Sequence, residues 1–352
     1  MQPRFCMRGS AATHWPRLLD TLGLASADIR TAAPQPLHSM IETCQAVLPH
    51  GVTLSCRAAG PPGAPLLLFL HGFPEAAFVW DDLLEHFAGR YRCVAPNLRG
   101  YEHSSSPVEV ESYRVKHLVA DILALVVQLG GRVEALIAHD WGGAVAWNFA
   151  VQHPALLNRL VIINSPHPAT FLRELQHNPA QQAASAYMNF LCRPDAAELL
   201  SQNDFAGLWP FFTNMGAVDP SRSGGGWLTD AVKAQYRAVW GCGLVGACNY
   251  YRASPLRPPT AEDRSLMKLV LAPEFVTVRV PTLVIWAEAD IALPPSLLDG
   301  LEAFVPKMRL VRIPAASHWV VHEQPQRIAT EIERELAGRT DSRPADEQVQ
   351  AR

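Results

Sequence analysis

From Ile41 onward, short apolar runs alternate with longer amphipathic ones. Pro65-Leu66-Leu67-Leu68-Phe69-Leu70 is apolar throughout, the pattern of a strand buried on both faces. Arg92-Cys93-Val94-Ala95, Val133-Glu134-Ala135-Leu136-Ile137-Ala138, Leu160-Val161-Ile162-Ile163, Thr282-Leu283-Val284-Ile285-Trp286 and Met308-Arg309-Leu310-Val311 read the same way. Leu118, Val119, Ile122, Leu125, Val126 and Leu129 keep helical spacing, and Gly130-Gly131 ends that helix. Strands alternating with helices of this length predict βαβ units and a mostly parallel sheet.

The alternation breaks between about Thr170 and Pro273 and resumes at Val278. The intervening stretch is rich in aromatics (Phe205, Trp209, Phe211, Phe212 and Trp240 among them) and poor in strand-like runs. A structureless loop of that length is implausible in a compact domain. A helical insertion is expected instead, lying as a lid over the carboxyl ends of the strands. Residues before Met40 carry early arginines and a short apolar patch, Leu18, Leu19 and Leu22, but no continuous apolar core of secretory type. They read as an extension, 1–39, and the polar stretch 338–352 as a frayed tail.

Composition narrows the field. The chain has 352 residues, 49% hydrophobic and 18% charged, with a net charge of -3. That balance argues against a nucleic-acid partner, and no stretch approaches the ~18 apolar residues of a membrane span. Seven cysteines lie scattered from Cys6 to Cys248 without a CxxC pair. They read as free thiols in a reducing, cytoplasmic setting rather than as a disulfide framework or a metal site.

The candidate chemistry centres on Ala138-His139-Asp140-Trp141-Gly142-Gly143. A sharp strand-to-helix turn exposes its central residue above the sheet and tolerates only small neighbours two positions away. Ala138 and Gly142 meet that condition, so Asp140 stands where the serine of G-x-S-x-G would stand. An aspartate there is as readily a helix N-cap, and its partners must decide. A carboxylate nucleophile suits attack on saturated carbon, giving an ester that a second step hydrolyses. His318, in Ala316-Ser317-His318-Trp319, follows the last strand-like run and serves as the base. Asp290, after the Thr282–Trp286 run, orients it, with Glu288 as the rival. The order nucleophile, acid, histidine is consistent with this architecture. The backbone N–H of Trp141 and that of Phe73, in His71-Gly72-Phe73-Pro74, are positioned as an oxyanion hole.

The run HGFPE, then RGY, then HDWGG, then SHW resembles the epoxide hydrolases of the α/β-hydrolase superfamily, over roughly residues 41 to 336. The resemblance implies an α/β-hydrolase core over 40–169 and 274–337 and a helical cap over 170–273. It implies two cap tyrosines that hydrogen-bond the epoxide oxygen. Tyr187 matches the first, and Tyr251, in Asn249-Tyr250-Tyr251-Arg252, the second. Adjacent helical residues point ~100° apart, so Tyr250 and Tyr251 do not face the site equally. His71, Pro74 and Trp319 are expected to contribute to substrate binding. The expected substrate is an apolar small-molecule epoxide, without metal or cofactor, and a homodimer stays open as the assembly. Two departures stand out: Glu102 and Ser317 occupy positions where the family usually carries glycine.

Haloalkane dehalogenases share the aspartate and the following tryptophan, and their halide clamp is completed by an asparagine or a second tryptophan; Phe73 after His71-Gly72 excludes the asparagine version. Fluoroacetate dehalogenases carry arginines beside the nucleophile, where this chain has Trp141 and Ala144. Serine esterases are disfavoured because no serine occupies the elbow. A non-catalytic binding protein of the same fold would be expected to have lost part of the constellation, and this chain retains it.

Overall fold

A computed structural model describes residues 41–217 and 226–338. The expectations for 1–39 and for the tail beyond Gly338 lie outside the described residues. Among these, eight strands form one sheet in the order β1-β2-β4-β3-β5-β6-β7-β8. They are β1 (Glu42–Val47), β2 (Thr53–Ala59), β3 (Leu66–Leu70), β4 (Arg92–Pro96), β5 (Ala135–His139), β6 (Leu160–Ile163), β7 (Thr282–Ala287) and β8 (Met308–Ile313). β1 pairs with β2, and β2 with β4, antiparallel; the remaining pairs are parallel. The mostly parallel sheet of an α/β-hydrolase is therefore present. Every position of β3, β5, β6 and β7 is buried, as their unbroken apolar runs require. β1 reads Glu-Thr-Cys-Gln-Ala-Val and is largely exposed. An edge strand need not be apolar on both faces, which is why the run pattern did not reveal it.

Core helices are α1 (Asp81–Phe87), α2 (Val115–Gln128) and α3 (Asp140–Gln152). α2 buries Leu118, Val119, Ile122, Leu125 and Val126 on one stripe, and Gly131 N–H donates to the Val126 carbonyl at 2.8 Å to close it. Asp121 on the same helix accepts both Arg99 Nε (2.8 Å) and Nη2 (2.6 Å). This buried fork holds the loop after β4 against the core.

Between β6 and β7 the chain forms α4 (Pro168–His177), α5 (Pro179–Ala184), α6 (Tyr187–Leu191), α7 (Ala196–Phe205), α8 (Trp209–Thr213), α9 (Asp230–Gly241) and α10 (Val245–Ala253). An irregular stretch with 3-10 turns at Ser265–Lys268 and Pro273–Phe275 returns to the sheet. α11 (Val320–Glu323) and α12 (Pro325–Ala337) follow β8. The insertion is fastened to loops at the carboxyl ends of the strands. Trp240 Nε1 donates to the Pro74 carbonyl at 2.7 Å, and the Tyr250 hydroxyl to the Arg99 carbonyl at 2.9 Å. At the Gly246–Gly100 contact, a Cβ on Gly246 would lie 2.5 Å from Gly100 Cα, so only glycine lets α10 come this close. None of the described helices is long and apolar enough to cross a membrane.

Candidate active site

The site is assembled where β3, β5, β6, β7 and β8 end, which is where sheets of this kind place ligands. Asp140 follows β5 directly and has φ +49°, a left-handed conformation that costs a non-glycine residue roughly 1–3 kcal/mol. The turn is held from two sides. Ser165 Oγ donates to the Asp140 carbonyl at 2.6 Å, and Gly142 packs so closely on β3 that a Cβ would lie 2.3 Å from the Leu70 carbonyl oxygen. That contact gives the physical reason for the small residue two positions after Asp140.

The Asp140 carboxylate has two different environments. Phe73 N–H donates to Oδ1 at 2.7 Å. Oδ2 lies 3.9 Å from His318 Nε2. His318 Nδ1 bonds Asp290 Oδ2 at 2.6 Å. Asp290 is fully engaged, with Asn164 Nδ2 on Oδ2 (2.9 Å) and the N–H groups of Ala292 (2.9 Å) and Leu293 (3.0 Å) on Oδ1. Burial would raise the Asp290 carboxyl, but the His318 charge and these bonds outweigh it and hold it below its ordinary value. Burial would likewise lower His318; the Asp290 and Asp140 carboxylates overcome that and lift it to about 9. Glu288, the rival acid, instead pairs with Arg312 at 3.1 Å, away from the histidine.

Across the cavity stand two phenols. Tyr187, on α6, and Tyr251, on α10, have ring centroids 6.1 Å apart. Tyr251 also packs edge-on against Trp141 (5.1 Å) and Phe73 (5.2 Å). Burial first, and then the neighbouring tyrosine or Asp140 charges, push both phenols upward, so each keeps its proton and remains a donor. Tyr250 has its hydroxyl committed to Arg99. A cavity of about 580 Å³ is lined by Asp140, Trp141, Tyr187 and Tyr251, with apolar walls that include Leu118, Phe171 and Leu293.

His71, Pro74 and Trp319 are not among the side chains lining this cavity. His71 Nε2 accepts the Leu98 N–H at 3.0 Å, and burial lowers its pKa to about 4, so the ring is neutral. Pro74 offers its carbonyl to Trp240, and Trp319 packs on Phe212 with centroids 4.4 Å apart. The two departures from family glycine are both absorbed by hydrogen bonds. Glu102 holds φ +48° while its carboxylate accepts Ser55 Oγ, Asn97 Nδ2 (2.8 Å) and its neighbour His103 N–H (3.0 Å). Ser317 Oγ donates to Glu323 at 2.6 Å.

Sequence reasoning did not identify a buried acid–histidine group behind the base. His139 Nε2 lies 3.0 Å from the His318 carbonyl and its Nδ1 3.1 Å from Glu75 Oε2. Glu75 Oε1 takes His322 Nε2 (2.8 Å) and the Tyr236 hydroxyl (2.9 Å). Burial would raise Glu75, but the two histidine bonds prevail and its carboxyl titrates well below the usual carboxylate range. The available signal was position: Glu75 closes the HGFPE run and His139 opens the HDWGG run. Among the described residues, no group of three or more His, Cys, Asp or Glu is arranged to hold a metal ion.

Residues 65–325 match the α/β hydrolase fold family. The chain belongs to that family. It is 35% identical over 278 residues to epoxide hydrolase 4 of Mus musculus, covering 78% of this chain and 74% of that protein. It is 34% identical over 286 residues to the AB hydrolase superfamily protein YfhM of Bacillus subtilis, covering 80% and 93%. Among solved structures, one from work on novel epoxide hydrolases in metagenomes from hot environments has a TM-score of 0.75 at 37% identity, covering 85% of this chain and 99% of that one. Bacillus megaterium epoxide hydrolase in complex with an inhibitor has a TM-score of 0.73 at 29% identity, covering 84% and 100%.

Proposed function

We propose that this protein hydrolyses an apolar epoxide to a vicinal diol through an ester on Asp140. The observation that carries this reading is the division of labour at the Asp140 carboxylate. Oδ1 already accepts the Phe73 N–H, while Oδ2 lies 3.9 Å from His318 Nε2, and Asp140 lines the cavity together with Tyr187 and Tyr251. The naming of similar proteins as epoxide hydrolases supports it.

In the first step Asp140 Oδ2 attacks a ring carbon. The C–O bond breaks, its electron pair stays on the epoxide oxygen, and a cap phenol donates to that oxygen. The product is a hydroxyalkyl ester. Forming it removes the Asp140 negative charge, one of the carboxylate charges, with those of Asp290 and Glu75, that raise His318. The imidazolium is then easier to deprotonate, so alkylation itself prepares the base. His318 Nε2 takes a proton from water, the hydroxide adds to the ester carbonyl, and Oδ1 becomes the oxyanion held by the Phe73 and Trp141 N–H groups. Collapse breaks the Cγ–Oδ2 bond, the departing diol oxygen takes the proton held by His318, and the proton left on the new carboxyl returns to the cap phenolate, restoring the carboxylate. Asp290 is a positioning residue that orients the ring and keeps it basic.

The test is a single turnover in oxygen-18 water with enzyme in excess, scored on styrene-type, aliphatic and fatty-acid epoxides alongside haloalkanes. Unlabelled diol is expected first, with label entering the Asp140 carboxyl over later turnovers. Label in the first diol would mean direct attack by water and would sink the ester mechanism. Asp140→Ala should abolish turnover, and His318→Gln should release no diol while intact mass shows about one equivalent of trapped adduct.

A further inference from the structure

The reaction above leaves the β1 edge of the sheet unused, and two thiols meet there. Cys44 of β1 and Cys56 of β2 are Cα partners in the antiparallel ladder. Leu48 N–H donates to the Val52 carbonyl at 2.7 Å, and hydrogen-bonded pairs alternate along such a ladder, which makes Cys44 and Cys56 one of them. Cα atoms at such a pair lie about 5.5 Å apart, inside the span that a disulfide bridges. Opposed residues project from the same face, and both cysteines line one cavity of about 230 Å³ together with Asn97, Glu102 and His103. Both are free; Cys44 is exposed and Cys56 is buried.

We propose that Cys44 and Cys56 are a redox-active dithiol that reduces a low-molecular-weight disulfide and closes into a cross-strand bond. The Cys44 thiolate attacks one sulfur of the disulfide RSSR, the S–S bond breaks, and RS⁻ leaves and is protonated. Cys44 then carries a mixed disulfide at the cavity. Cys56 loses its proton to solvent and attacks the Cys44 sulfur, expelling the second RS⁻ as thiol. Two protein thiols and RSSR become one protein disulfide and two RSH, a two-electron exchange.

The two cysteines are suited to different roles. The neighbouring Cys56 thiol outweighs partial burial and brings the Cys44 thiol down to about 7, while the Cys44 thiol and burial push Cys56 upward. Cys44 is thus the attacking group and Cys56 the resolving one. Cβ atoms at an opposed pair lie roughly 4.5–5.5 Å apart, wider than the ~3.8 Å a disulfide prefers, so closure draws β1 inward. Among the described residues β1 has a neighbour on one side only and can follow. A bond formed under that constraint is readily reduced again, which makes the exchange reversible.

The test incubates the native full-length protein with oxidised glutathione, alkylates remaining thiols and maps peptides by mass spectrometry. In the wild type a linked Cys44–Cys56 peptide should accumulate, lacking two hydrogens, and disappear on adding dithiothreitol. Cys56→Ser should instead retain glutathione on Cys44, and Cys44→Ser should leave Cys56 unmodified. The exposed Cys242 serves as the internal reference for simple accessibility. The proposal is overturned if wild-type Cys44 holds glutathione to the same occupancy as in Cys56→Ser. It also fails if Cys44 stays reduced while Cys242 reacts, or if the linked peptide forms only after the protein is unfolded in guanidinium.

Discussion

At the scale of single residues, the site depends on which polar atoms are already occupied. Tyr250 and Tyr251 adjoin in sequence and both line the cavity beside Trp141, yet the Tyr250 hydroxyl is spent on the Arg99 carbonyl while the Tyr251 ring faces Tyr187. Replacing Tyr187 and Tyr251 together by Phe should slow ester formation by about 10²- to 10⁴-fold in stopped-flow single turnovers, the usual reach of general acid assistance. Tyr250→Phe should leave that step nearly unchanged. Equal loss in both variants would remove the distinction. Glu75 acts at one remove, through His139 on the His318 carbonyl. Glu75→Gln keeps the shape but weakens a buried ionic group, so a cost of about 3 kcal/mol in urea unfolding is expected. A positioning role further requires the pH profile of ester hydrolysis to move; a stability loss with an unmoved profile would reduce Glu75 to a structural anchor.

At the scale of elements, close approach decides the geometry. The turn from β5 into α3 brings Gly142 against the Leu70 carbonyl, and α10 docks through Gly246 on Gly100. A methyl group at Gly142 meets backbone, which cannot swing aside as a flexible side chain would. Gly142→Ala should therefore lower the melting temperature and abolish activity together. Gly246→Ala should move α10 outward, carrying Tyr251 away from Asp140, and so depress ester formation more than it depresses stability. Melting curves beside single-turnover rates separate the two; a Gly246→Ala enzyme with full activity would show that α10 docking does not set the site. The parallel strands were legible because burial on both faces forces unbroken apolar runs such as Leu66–Leu70. β1 and β2 were not, because one edge and one mixed strand need no such run.

At the scale of the whole molecule, ionisable groups in the site couple stability to pH. His318 rises from 6.5 to about 9 in the folded protein. Its contribution, on the order of 3 kcal/mol, is thus complete below pH 6.5 and lost as pH climbs through about 9. Asp290 is shifted the other way, so its contribution is present above its unfolded value of 3.8 and lost as pH falls below that. Unfolding measured from pH 6 to 10 should show a stability decline in the wild type that is much shallower in His318→Gln. Parallel curves would mean that the His318–Asp290 pair does not carry the linkage.

What the sequence determined by itself was local or repetitive. A small residue on each side of Asp140, a histidine after the last strand and apolar runs at regular intervals are set by covalent neighbours and by burial, and both leave their mark in the order of residues. Which of Tyr250 and Tyr251 has its hydroxyl bonded to the Arg99 carbonyl, that His139 and Glu75 stand behind His318, that His71, Pro74 and Trp319 are not among the cavity's lining residues, and that Cys44 meets Cys56 depend on the docking of separate elements. Glu75 and His322 are 247 positions apart along the chain yet share a hydrogen bond of 2.8 Å. Such juxtapositions follow from packing and strand register, which many distant side chains fix jointly and no short stretch of sequence records.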